Sequence, residues 1–200
     1  MTSFIGHPGQ PAHDSGHPRR FGNAVVGTSV FIFTEVMFFC GLVSAYLVLR
    51  SHTEWPPADQ PRLPVMVTGI NTVVLLASAV SVWGVPGALR SDRPDIAKQW
   101  LLTTILMGVT FLAIQGYEWT RLIGFGLTTN SSLYGAMFYI VIGAHAAHVV
   151  GGIAMLSLVR RKMTRGAYSA SNLDGVVAMR LFWLFVVGVW PILYVMVYLW

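Results

Sequence analysis

Apolar positions along this 200-residue chain come in long unbroken stretches, five of them about 20 residues or more. They run from about Ala24 to Leu49, Leu63 to Leu89, Gln99 to Gly124, Ser132 to Val159 and Leu181 to Trp200. A helix of about 20 mostly apolar residues crosses the roughly 30 Å of hydrocarbon in a bilayer. A membrane β-barrel would need polar residues at every second position, and these runs have none. The pattern predicts an all-α polytopic membrane protein, a bundle of five transmembrane helices. Residues 1–23, rich in Gly, Pro and His, read as a flexible cytoplasmic tail, and residues 24–200 as the five-helix domain.

Composition agrees: 10% of residues are charged and the mean hydropathy is +0.62, whereas a soluble domain carries about 25% charged residues. The pI near 9.7 does not point to nucleic acid, because the basic residues flank the apolar runs instead of forming a stripe. With five spans the ends of the chain fall on opposite sides. Ten basic residues lie on the N-terminal side (Arg19, Arg20, Arg90, Arg93, Lys98, Arg160, Arg161, Lys162, Arg165 and Arg180) against three on the other (Arg50, Arg62 and Arg121). Lys and Arg are retained on the cytoplasmic side, so the N-terminus is expected in the cytoplasm and Trp200 in the periplasm, in a bacterial inner membrane. The loops are too short for a further folded domain, and no cleaved signal peptide is expected. No internal repeat supports an inverted-repeat transporter. Cys40 stands alone, which excludes an intrachain disulfide or a four-cysteine cluster.

Polar residues inside the spans are costly in lipid and face protein or water. At about 1.5 Å per residue, Glu35 lies about 16 Å from the N-terminal boundary of its span and His148 about 18 Å from the same side. An ionised carboxylate at that depth costs about 2.5 to 3.5 kcal/mol on insertion scales. Glu35 is therefore expected to keep its proton or to pair with a histidine, and a Glu35–His148 hydrogen bond would fix the first span against the fourth. That bond reads either as a packing device or as a proton-transfer group. His145 and His148 share one helix face at i and i+3. Haem would need histidines from two helices, and a carboxylate-bridged metal would need Glu118, which lies too far outward. A helix-contact role is the default for both histidines. Gln115 with Glu118, and Asn71 with Thr72, are expected to hydrogen-bond between helices. Gly143, Ala144, Ala146, Ala147, Gly151 and Gly152 would allow close backbone approach. Trp55, Trp119, Trp183, Trp190 and Trp200 read mostly as interfacial anchors. His7, His13 and His17 in the tail are too irregularly spaced to read as a metal site.

These segments resemble one family, subunit III of the haem–copper terminal oxidases. TEVMFFCGLVSAYLVLR is similar to that family's Ser-Glu-x-Met-Phe-Phe helix at Glu35, and Trp55-Pro56-Pro57 follows as in many members. LPVMVTGINTVVLLASAVSVW matches at Asn71, Thr72 and Ser78, and TTILMGVTFLAIQGYEW at Gly108, Phe111, Gln115 and Glu118. YGAMFYIVIGAHAAHVVGG matches through Tyr134, Gly135, Phe138, Gly143, His145, His148 and Val149. The resemblance covers about residues 24 to 200 and looks like the short five-helix bacterial form. It departs in the last helix, where Leu184 and Val187 replace the family's His and Asp, and at Ala146, which replaces a glycine.

The resemblance implies an accessory subunit of a proton-pumping oxidase that reduces oxygen to water, with no catalytic residue, cofactor or metal on this chain. Haem and copper would belong to partner subunits I and II. Phospholipids would bind between the helices, proton uptake and turnover would be supported, and other respiratory complexes are further candidate neighbours. The residues it singles out are Glu35, Asn71, Gln115, Glu118, His145 and His148. Cytochrome c is the implied donor, with quinol as the alternative. A subunit-III-like protein of a nitric oxide reductase is the other accessory reading.

Overall fold

A computed structural model describes residues 22–52, 57, 63–169 and 172–200. The tail histidines, Trp55, Pro56 and Arg62 lie outside the described residues. The regular structure is helical: α1 (Asn23–Ser51), α2 (Val65–Trp83), α3 (Val85–Arg90), α4 (Pro94–Gly124), α5 (Leu133–Thr164), α6 (Asp174–Tyr194) and a closing π turn, Val195–Leu199. One isolated bridge, Ser169 to Asn172, pinches the α5–α6 loop. Taking α3 with α2 and the π turn with α6, the described residues hold five helices long and apolar enough to span a membrane.

The second span is broken, not continuous as its apolar run suggests. Pro86 has no N–H for the carbonyl four residues back, so the helix is interrupted at Gly84. A Cβ on Gly84 would fall on the Trp100 ring, so the break also seats α4. Helices α4 and α5 are 31 and 32 residues long, longer than their apolar runs, and carry their charged ends beyond the hydrocarbon.

Three helix ends close in the same way. After α4, Gly126 takes φ +91°, Leu127 N–H reaches Leu122 O and Gly126 N–H reaches Ile123 O. After α5, Gly166 at φ +73° repeats the pattern with Ala167 N–H to Lys162 O. These are Schellman ends, in which a left-handed residue turns the chain back onto orphan carbonyls. After α3 the same bonds form, Arg93 N–H to Ala88 O and Asp92 N–H to Leu89 O, but Asp92 occupies the left-handed position at φ 53°. At the start of α5, Ser132 Oγ accepts the Gly135 N–H at 3.1 Å, an N-cap.

Packing joins α2 to α4, α4 to α5, α5 to α6 and α6 back to α2, a four-helix ring. Helix α1 lies outside it, mostly on α6 and more lightly on α5. It runs parallel to α6: its first residues approach Asp174, and Arg50 at its far end donates to the Trp200 carbonyl and lies over the Trp200 ring. Only Phe39 and Tyr46 of α1 are fully buried.

Trp183 and Trp190 overturn the expectation of interfacial anchoring: both are completely buried. Trp183 Nε1–H donates to Ser78 Oγ at 3.0 Å and Trp190 Nε1–H to Thr72 Oγ1 at 2.8 Å. Those hydroxyls donate onward to the Leu75 and Thr68 carbonyls within α2. Seven residues separate the two indoles on α6, two turns apart on one face, so the pair stitches α6 to α2. The Trp183 ring fills space left by Gly108 of α4 and Gly152 of α5, where an added Cβ would come within 2.8 and 2.7 Å of it. The small residues of α5 thus accept an indole at Gly152, whereas Gly151 faces open space.

Candidate functional site

Glu35 on α1 and His148 on α5 meet through Glu35 Oε2 and His148 Nε2 at 2.8 Å. The other ring nitrogen of His148, Nδ1, lies 2.7 Å from the Ala144 carbonyl. A carbonyl only accepts, so Nδ1 carries a proton. One further proton then lies between Nε2 and Oε2, on the ring or on the carboxyl, and in both placements the pair is net neutral. That neutrality is what makes a carboxylate tolerable at this depth. Each side chain is 17% exposed, so the pair is covered but not sealed. Phe38 and Phe39 hold the imidazole, with ring centroids at 6.1 and 5.0 Å.

His145, one turn away, does not join this pair. It is 1% exposed, and neither ring nitrogen has a hydrogen-bond partner among the described residues. Its ring stacks on Trp190 at 4.8 Å and meets the edges of Phe111 and Phe39 at 6.1 and 6.4 Å. An aromatic enclosure supplies no second metal ligand, so these residues do not fit a haem or a metal ion.

The remaining polar residues lie elsewhere. Asn71 donates from Nδ2 to the Phe111 carbonyl at 3.0 Å, tying α2 to α4. Gln115 donates to the Tyr198 hydroxyl at 3.0 Å, tying α4 to the π turn. Glu118 is buried and paired within its own helix to Arg121 at 3.3 Å, whose guanidinium extends over Phe125. The structure therefore brings together Glu35 and His148 alone, and spreads Asn71, Gln115, Glu118 and His145 over separate contacts. The residues that sequence reasoning missed are Trp183, Trp190 and Tyr198. The seven-residue spacing of the two tryptophans, opposite hydroxyls at Thr72 and Ser78, was the available signal.

Between α1 and α6 an apolar groove of about 440 Å³ is lined by Val36, Phe39, Cys40, Val43, Phe185 and Ile192, among others. Leu184 and Val187 of α6 do not line it: Val187 is buried and Leu184 packs partly against the core.

Comparison with known proteins agrees along the whole chain. A family model described as Cytochrome c oxidase subunit III matches residues 19–200. A protein of Synechocystis named Cytochrome c oxidase subunit 3 is 37% identical over 196 residues, 96% of this chain and 81% of its own length. Proteins named Probable cytochrome c oxidase subunit 3 from Mycobacterium leprae and Nocardia farcinica are each 33% identical, over 99% of this chain and 98% of their own.

Proposed function

The chain belongs to the cytochrome c oxidase subunit III family, and on that premise we propose that it is the non-catalytic subunit III of a proton-pumping, cytochrome c-oxidising enzyme. As a family member it is a multi-pass protein of the bacterial inner membrane and part of an oxidoreductase complex. The finer reading is that it packs on subunit I in a complex that also holds subunit II. It carries no redox centre, binds phospholipid and sustains proton uptake and turnover. The observation that carries the reading is the match over residues 19–200, which takes in every span.

Several features support it. The exterior of α1 exposes Val30, Phe33 and Met37, an apolar face suited to a neighbouring helix in the membrane. The apolar α1–α6 groove is suited to an acyl chain. Within the described spans the possible donors suit a chain whose partners hold the redox centres: Cys40, a His145 enclosed by rings, and a His148 bonded to Glu35. The cytoplasmic N-terminus rests on the charge bias alone, ten basic residues against three. The Glu35–His148 pair holds one exchangeable proton between two helices, which suits a positioning role in proton uptake.

Purification through a tag on this chain in mild detergent tests the reading. The expected result is a reduced-minus-oxidised spectrum with a-type haem and co-purified oxidase subunits I and II. A b- and c-type spectrum with nitric oxide reductase subunits would move the chain to that enzyme, and a colourless solitary protein would overturn both.

A further inference from the structure

Two arginines near the basic end of the bundle have no counter-charge among the described residues. The Arg180 guanidinium carbon lies 5.2 Å from the centre of the Trp83 ring. Its Nε is buried and meets no acceptor. Arg90 ends α3, which packs against α6, and it stands near enough to Arg180 for the two like charges to repel. Among the described residues the ion pairs are Lys98–Asp95, Arg121–Glu118 and His148–Glu35. Neither Asp92, two residues beyond Arg90, nor Asp174, at the start of α6, pairs with either arginine.

A guanidinium stacked on an aromatic ring commits its face and keeps its N–H edge, which matches two oxygens of a phosphate. Trp side chains favour the headgroup level of a membrane, and these arginines flank the apolar part of their spans. From Trp83, α2 presents Val80, Leu76 and Val73 along one face at helical spacing, 77%, 42% and 65% exposed. The surface therefore combines paired cations, an interfacial ring and an apolar track.

We propose that Arg180 and Arg90, beside the Trp83 indole, hold the phosphate of an anionic phospholipid at this end of the bundle. The proposal deepens the lipid-binding part of the function above and rests on it. Two cations with no acid paired to them among the described residues favour a headgroup of net negative charge, because a zwitterionic one brings its own ammonium into the same field. By contrast, Arg161 and Arg165 at the end of α5 are exposed and stack on no ring.

The test uses the tagged complex in nanodiscs of dioleoylphosphatidylcholine containing dioleoylphosphatidylglycerol, washed with lipid-free detergent, with retained lipid counted by mass spectrometry. Wild type is expected to retain phosphatidylglycerol selectively. Arg180→Gln and Arg90→Gln should each weaken retention about fivefold, Arg180→Lys less, and Arg161→Gln and Arg165→Gln not at all. Unchanged retention in the Arg90→Gln/Arg180→Gln double variant overturns the proposal. Two other outcomes also overturn it. One is competition by inorganic phosphate as effective as that by the lipid, which marks a free-phosphate site. The other is loss of a partner subunit from Arg180→Gln with lipid unchanged, which marks a protein carboxylate. Absence of partner subunits in wild type strikes the oxidase reading alone, since the lipid count is read on this chain either way.

Discussion

Glu35 and His148 share one proton across a 2.8 Å contact, and each variant of the pair has its own expected cost. In Glu35→Gln the amide donates to Nε2, so the bond survives as a neutral one and stability falls by about 1 kcal/mol or less. In Glu35→Leu the imidazole nitrogen is left without its partner, and the loss rises to about 1–3 kcal/mol. Thermal unfolding of the detergent-solubilised complex checks both. If the pair only packs, Glu35→Gln keeps turnover; lost turnover with assembly intact would assign the shared proton to the reaction. The indole bonds are a second residue-scale test. Trp190→Phe removes a donor, whereas Thr72→Val strands a buried N–H, and a double-mutant cycle should give a coupling of about 0.6–1.7 kcal/mol. A value near zero would mean that the 2.8 Å bond adds nothing beyond the stacking of Trp190 on His145 and Phe111.

At the scale of the helix, the decisive positions are the ends. Gly126 and Gly166 turn left-handed without steric cost, but Asp92 does the same work at φ 53° with a Cβ that crowds its backbone. Asp92→Gly is therefore expected to stabilise the protein by up to about 1 kcal/mol, and Gly166→Ala to destabilise it by about as much. Thermal unfolding of the two single variants checks the opposite signs. The break at Gly84 has a different origin, since Pro86 removes the hydrogen bond and the Trp100 ring occupies the place of a Cβ. The second span reaches its full length, Val65 to Arg90, only across this break.

Across the whole molecule, a ring of four helices holds the aromatic and hydroxyl core, and α1 is an outer helix attached along α6. The parallel course of α1 and α6 sets the starts of both helices, with Arg180, on one side and Arg50 beside Trp200 on the other. Alkaline phosphatase fused after residues 128 or 200 should be active, and fused after residues 91 or 166 inactive, if the N-terminus is cytoplasmic. Activity in the reverse pattern would invert the topology and place the Arg90–Arg180 pair in the outer leaflet.

The five spans and the depth match of Glu35 with His148 were legible in the chain, because hydrocarbon thickness and the cost of a charge in lipid act on each segment separately. The existence of a span needs no partner helix. Which residues share a core does need one, and here the chain was a poor guide: continuous apolar runs carry almost no periodicity to show which face turns inward. Trp183 and Trp190 look like interfacial residues until α6 is set against Thr72 and Ser78. His145 and His148 look equivalent at i and i+3, yet one stacks on Trp190 and the other reaches Glu35. The sequence by itself determined that this is a five-span membrane protein of the subunit III type. Only the tertiary structure decided which polar groups meet, because a hydrogen bond between helices depends on the rotation of each about its own axis, and packing alone sets that rotation.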